Sequence, residues 1–268
     1  MIKEDFIETE RTREELDHML TGAYPVTSMN QLHETGAMRS IIPELDEAFG
    51  MTQNKYHSGT VWDHTMAVLD GVESDKLVVR MAALLHDVGK VRTREETADG
   101  GVHFYGHEEV GAEITEAILD RLGYDKDFIQ DVKFLVQHHM DTKKWGAQAE
   151  LMKDKKLRKL MFACRTEDRF RDLLHLIDAD NKAHAEGFKK PDQVPAILER
   201  AETMKAEGSA MFGYELPVTE DDVMRIKGLA PGPAVQECLE YLLKLAFSNP
   251  LLDREMVVKQ LRGFKPRS

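Results

Sequence analysis

Along this chain the apolar positions recur at helical spacing far more often than they alternate. In "TVWDHTMAVLDGV" (60–72) Trp62, Met66 and Leu69 share one helical face. "DKLVVRMAALLHDVGK" (75–90) is apolar nearly all round, which predicts a helix buried at the centre of the molecule. Further helices are predicted over 106–123, 126–141, 168–187 and 193–208, and over "AVQECLEYLLKLAFS" after the Pro/Gly punctuation of "GLAPGPAV" (228–235). Near the start, Thr12 followed three residues later by Glu15 is a capping-box pattern for a helix over 12–22. Residues 26–45 predict a short helix, a stop at Gly36 and a second apolar turn ended near Pro43. One stretch differs: in 93–109 Asp99-Gly100 is a turn signal with short β-prone flanks, so a small hairpin or irregular loop is expected there. No internal repeat or low-complexity tract interrupts the pattern. The expectation is an all-α fold, with an N-terminal helical segment over 1–50, a central domain over 51–189 and a C-terminal helical segment over 190–268.

Polar residues that break this pattern carry the chemistry. The central helix ends on His86-Asp87, followed by Gly89 and Lys90. A buried ionised carboxylate beside a buried imidazole is costly unless paired or bound to a metal. Other histidines also fall where helices begin or end: His64, His107 and the pair His138-His139, with Asp178 and Asp180 in "HLIDADNKAHA". Singly, each has an ordinary explanation as a core or surface residue. As a set they offer the imidazole nitrogens and carboxylate oxygens that suit Mn, Fe, Co, Ni or Zn. A carboxylate can bridge two divalent ions about 4 Å apart, and such a pair clamps a phosphate and activates water.

Composition narrows the class. The 268 residues are 42% hydrophobic and long enough for a sizeable core. No apolar run approaches a bilayer span, the first twenty residues are charged throughout, and Cys164 and Cys238 are too few for a disulfide or cysteine-metal framework, so a cytoplasmic protein with no membrane partner is expected. The net charge of −12 argues against tight binding to long duplex nucleic acid. From Lys143 to Arg171, however, ten basic residues stand against four acidic ones. That segment is either a solvated helix face or a local phosphate-contacting patch.

The order His64, His86-Asp87 and a late Asp resembles the HD superfamily of metal-dependent phosphohydrolases, whose pattern is H…HD…D. "IIPELDEAFGMTQNKYHSGTVWDHTMAVLD", "ALLHDVGK", "FYGHEEVGAEI" and the C-terminal "YELPVTEDDVMRIKGLAPGPAVQECLEYLLKLAF" are further similar to the HD domain and flanking helices of bacterial CCA-adding tRNA nucleotidyltransferases/poly(A) polymerases. Nothing in residues 1–50 resembles the nucleotidyltransferase head of those enzymes, so hydrolysis rather than nucleotide addition is expected. The resemblance implies an HD-domain helical bundle with helical extensions and one or two divalent ions (Mg, Mn, Fe, Co, Ni or Zn). It implies metal ligation by His64, His86, Asp87 and Asp180, with Asp180 favoured over Asp178 because family members present an "AD" pair. Asp87 would be the bridging carboxylate, and His107 and His138 would hold a second ion. His139 is the competitor, but His138 better continues the apolar face made by Phe134 and Leu135, and His139 would otherwise be a substrate contact. Lys90 either meets a substrate phosphate or serves only as a helix-end cation. His57 corresponds to a histidine-bearing segment of the same relatives and would line the phosphate pocket. His18, His33, His103, His175 and His184 are left as structural or surface residues.

The implied activity is that of a phosphohydrolase or phosphodiesterase, of phosphatase or 2′,3′-cyclic phosphodiesterase type. It would act by metal-bound hydroxide on a nucleotide, another phosphorylated small molecule or an RNA-terminal phosphate. The alternative is a non-catalytic helical tRNA- or RNA-binding module. The tail from Lys190 onward, with eleven basic and twelve acidic residues, does not by itself favour RNA.

Overall fold

The computed structural model describes residues 2–54, 56–98, 100–143 and 153–267, with side chains described from Thr9 onward. Helices dominate it, and the described strands are one antiparallel pair, β1 (Glu95–Glu96) and β2 (Val102–His103). Glu95 pairs with His103 and Glu96 with Val102, so the expected hairpin is present. Asp99 of its turn lies outside the described residues.

The chain forms two compact units, Met1–Ala147 with Arg171–Val194, and Gln148–Phe170 with Pro195–Ser268. The expected division at 50 and 189 therefore differs from this grouping.

In the first unit, α1 (Ile2–Thr21), α2 (Pro25–Glu34), α3 (Ala37–Ile41) and α4 (Pro43–Asp46) precede α5 (Val61–Gly71), α6 (Leu77–Leu85) and α7 (Lys90–Thr93). The hairpin leads into α8 (His107–Arg121) and α9 (Lys126–His138), and most of α11 (Glu167–Ala183) completes the unit. Helix α6 packs on α1, α5 and α9, and Val79 and Met81 through Leu85 are wholly buried, because a helix apolar on every side can only be central. The N-terminal helices join this core: Leu16, Leu20, Met29 and Met38 are buried, Trp62 Nε1 donates to Asn30, and Arg121 pairs with Glu44 through two 2.8 Å hydrogen bonds.

Three local expectations change. Thr12 is not a cap, because α1 begins at Ile2 and carries Thr12 in its interior. Pro43 opens α4 rather than only closing the helix before it, as suits a residue whose fixed φ and missing N–H fit a first helical turn. The helix expected to continue to 90 stops at Leu85, with His86 as its C-cap, and resumes as α7 at Lys90.

The second unit holds α10 (Asp154–Cys164), the remainder of α12 (Gln193–Ala206), α13 (Glu220–Lys227), α14 (Pro233–Ser248) and α15 (Arg254–Gly263). Val218, Val223, Val235, Cys238, Leu242, Val257 and Leu261 form its buried core. The basic "KDKKLRK" lies at the start of α10. Lys155, Lys156 and Lys159 are exposed, Leu157 and Leu160 are buried, and Arg158 is turned inward onto the carbonyls of Ser209 and Phe247. Residues 144–152 of the basic segment lie outside the described residues.

Candidate metal centre

The centre is assembled where α6 ends. Its apolar turns carry His86 and Asp87 into the core, where they are 0% and 2% exposed. Helix α5 brings His64, capped at its start by the reciprocal pair Thr60 and Asp63. His107 opens α8 after Gly106, which takes φ 71°. His139 caps the end of α9, and Asp180 comes from α11. All are buried.

Close approach of α8 depends on a missing side chain. A Cβ on Gly89 would lie 2.1 Å from the carbonyl oxygen of His107 and 2.6 Å from the nitrogen of Gly111. Only glycine lets the turn after Asp87 press on the first turn of α8, and that contact brings His107 to the carboxylate.

Asp87 stands between two histidine pairs. Its Oδ2 lies 3.1 Å from His86 Nε2 and 3.6 Å from His64 Nε2. Its Oδ1 lies 3.4 Å from His107 Nε2 and 3.9 Å from His139 Nε2. The ligand atoms within each of the sets His64–His86–Asp87 and Asp87–His107–His139 lie within 4.8 Å of one another. Asp180 Oδ1 adds a second carboxylate to the first set, 3.2 Å from His64 Nε2.

Three of the rings are held by the backbone. The Nδ1 of His86 bonds to Ala83 O, that of His107 to Phe104 O and that of His139 to Val136 O, each three residues back along the chain. A carbonyl only accepts, so Nδ1 donates in each and Nε2 faces Asp87, where it offers a lone pair to a cation whenever the ring is neutral. His64 Nε2 and His86 Nε2 are buried and make no hydrogen bond. Buried polar atoms without partners are uncommon, and a cation between these groups would satisfy them together. Imidazole Nε2 atoms arranged about a shared carboxylate are a donor set that suits divalent metal ions.

The electrostatics agree with a site kept ready for cations. Burial opposes ionisation of Asp87, but the positive charges of His86 and Lys90 outweigh it and hold its carboxyl well below the usual carboxylate range. Burial likewise opposes ionisation of Asp180, and Lys143 beside it lowers its pKa well below that range. Burial lowers His64, and takes His139 down to about 3 with help from His86 and His107. His57 is lowered to about 2, chiefly by burial and then by Lys90.

Lys90 Nζ lies 2.6 Å from Asp87 Oδ2 and also donates to Gln53, so it is anchored within the centre rather than at a solvated helix end. His57 packs edge-on against His64, with ring centroids 4.3 Å apart, and lines the cavity above the centre. Asp178 instead pairs with Lys182, 2.7 Å away, while Asp180 faces His64.

The structure brings His64, His86, Asp87, Lys90, His107, His139 and Asp180 together, and it places His138 elsewhere. His138 is partly exposed, bonded to Asp141 and packed against Phe134. Consecutive helical residues diverge by about 100°. The buried face of α9 runs through Ile129, Val132, Leu135 and Val136 to His139, whereas Phe134 lies on the half-buried flank. Reading that face from Ile129 rather than from Phe134 selects His139.

Sequence reasoning also missed His184 and Lys143. His184 Nδ1 bonds to the carbonyl of Asp180, and its Nε2 lies 2.9 Å from Lys143 Nζ, which is itself 2.6 Å from Asp180 Oδ2. The available signal was position: His184 follows Asp180 by one helical turn.

A family model described as the HD domain matches residues 55–204. A second, described as the probable RNA and SrmB-binding site of polymerase A, matches residues 5–49. Among curated proteins, the CC-adding tRNA nucleotidyltransferase of Thermus thermophilus is 31% identical over 88% of this chain and 52% of its own length. The A-adding tRNA nucleotidyltransferase of Deinococcus radiodurans is 32% identical over 87% of this chain and 53% of its own length. The multifunctional CCA protein of Methylobacillus flagellatus is 33% identical over 79% of this chain and 52% of its own length. The chain thus spans about half the length of the curated relatives it matches. Its His-Asp centre and the match across more than half of its residues carry one conclusion: the chain belongs to the HD-domain family.

Proposed function

We infer that this chain is a metal-dependent phosphohydrolase acting on a nucleotide or an RNA-terminal phosphate, by phosphatase or 2′,3′-cyclic phosphodiesterase chemistry. The observation that carries this reading is the division of Asp87, one oxygen toward His64 and His86 and the other toward His107 and His139. Divalent ions held there supply Lewis-acid polarisation of a phosphoryl group and activation of an attacking water. The chain's own residues do the rest. The four histidines and Asp87 fix ligand positions, and Asp180 adds negative charge on the His64 side. Lys90 and Lys143 line a cavity of about 380 Å³ above the centre, and their ammonium groups would meet the phosphoryl oxygens of an ester bound there.

Phosphate release is the test. Protein stripped of metal and reloaded with Mn, Co, Ni, Zn or Mg should hydrolyse phosphomonoesters or 2′,3′-cyclic nucleotides, and chelation should abolish turnover. A second reading, a non-catalytic tRNA-binding module, draws on the match of residues 5–49 and on relatives named for tRNA nucleotidyl transfer. A salt-sensitive tRNA mobility shift, with no metal-dependent turnover on any phosphate ester, would favour it over hydrolysis.

A further inference from the structure

The cavity above the centre grades from buried charge to exposed aromatic rings. Asp87 and Lys90, at its floor, are 2% and 3% exposed. Its mouth carries Tyr105, 73% exposed, with Tyr56 and Phe188 at 43% and 39%. Among the described residues seven large hydrophobic side chains are exposed, and three of them rim this one opening. Scattered exposed hydrophobics need no explanation, but their convergence on one cavity does.

The rings are arranged rather than loose. Tyr105 lies flat on His103, with centroids 5.1 Å apart and planes 11° from parallel. Tyr56 meets Phe188 edge to face at 4.9 Å, and the Tyr56 carbonyl accepts from the Ala185 N–H, which ties this side of the rim to the segment after α11. Between floor and rim stands Lys190, whose ammonium donates to the Lys143 carbonyl. Three lysines around one opening favour an anion within it. A cavity of about 380 Å³ is at the small end for organic ligands, which excludes a duplex and suits one nucleotide.

Resting on the hydrolase reading above, we propose that the cavity takes its substrate phosphate first, with the attached nucleobase stacked on the aromatic rim formed by Tyr105 and Phe188. A phosphate at Lys90 and Lys143 leaves the sugar beside Lys190 and the base at the mouth, where every base offers a π-face regardless of sequence. The same chemistry is presented by a free mononucleotide and by the last nucleotide of a single-stranded RNA.

The test compares adenosine 5′- and 3′-monophosphates with ribose 5-phosphate, which lacks the base. A short RNA bearing a 3′-phosphate distinguishes the two sources. The metal-loaded protein should prefer the adenosine phosphates by about tenfold or more in kcat/KM, the loss expected when one base–aromatic stack is removed. Tyr105→Ala and Phe188→Ala should each shrink that ratio, mainly through KM, while Tyr105→Phe should keep it. The exposed positions of these side chains make the variants tolerable to the fold, and circular dichroism checks this. Competition calorimetry with metal-free protein gives a second readout: adenosine monophosphate should bind more tightly than ribose 5-phosphate. Equal kcat/KM or equal affinity for the two, or alanine variants that leave the ratio untouched, would overturn the proposal. Loss of metal-dependent turnover on every ester, with the binding preference intact, would instead overturn the hydrolase reading and leave nucleotide recognition standing.

Discussion

Gly89 lies so close to Gly111 that it has no room for a side chain, while Gly111 has room only for a tight one. A Cβ on Gly89 would meet the Gly111 nitrogen at 2.6 Å, and one on Gly111 would meet the Gly89 nitrogen at 3.3 Å. Gly89→Ala must therefore push α8 outward, taking His107 from Asp87. We expect a loss of about 3 kcal/mol in urea unfolding, the upper part of the range for overpacking, because the obstacle is backbone. Bound metal should fall as well. An alanine variant with wild-type stability and metal content would contradict this account of the contact.

Asp87 is the one residue shared by both ligand sets. Asp87→Ala should remove both ions by elemental analysis and abolish turnover. It also leaves the Lys90 ammonium buried without its 2.6 Å partner, so stability should fall by about 3–5 kcal/mol in metal-free protein. Asp87→Asn keeps a hydrogen-bond acceptor for Lys90 and should fold better while still failing to hold metal. Full activity in Asp87→Asn would rule out a bridging role.

The neighbours His138 and His139 should behave oppositely. His139→Ala removes a buried ring facing Asp87 Oδ1, and the metal content should drop from two ions per chain toward one. His138→Ala removes only the partly exposed ring that meets Asp141, and metal content should stay unchanged. The reverse pattern would assign the ligand to His138.

Acid should destabilise the metal-free protein before its carboxylates titrate. His57, His139 and His184 are lowered, mainly by burial, to about 2, 3 and 4. In the unfolded chain they titrate near 6.5. Between those values the unfolded state holds the extra protons, so stability falls as pH falls, by up to about 1.4 kcal/mol per pH unit for each proton. His86 opposes the trend: burial lowers its pKa, but Asp87 raises it further, so its contribution is present below 6.5 and is lost as pH rises through its folded value. With His64 also lowered by burial, four groups against one give a lower urea midpoint at pH 5 than at pH 7.5. An unchanged or higher midpoint at pH 5 would show that these rings protonate in the folded state.

Much of the helical body was legible because amphipathic period and burial are the same fact seen twice. The apolar run of α6 announced a central helix, and the family pattern then named His64, His86, Asp87 and Asp180. Three kinds of information stayed hidden. The face of α9 was ambiguous from Phe134 and Leu135 alone, since two adjacent positions straddle the edge of a helical stripe. The capping signal at Thr12 was overridden by the helix that continues through it, as local propensity yields to context. Lys143 reaches Asp180 only in three dimensions, from the turns after α9, whereas His184 lies one helical turn beyond Asp180 and was legible by position alone.

The hydrogen bonds that orient His86, His107 and His139 end on the carbonyls of Ala83, Phe104 and Val136. Every amino acid supplies that acceptor. The layer that fixes these rings is thus indifferent to side-chain identity, and positions 83, 104 and 136 can be exchanged for other residues of fitting size without touching it. The orientation of these three rings is written in local backbone geometry and leaves no letter of its own in the sequence.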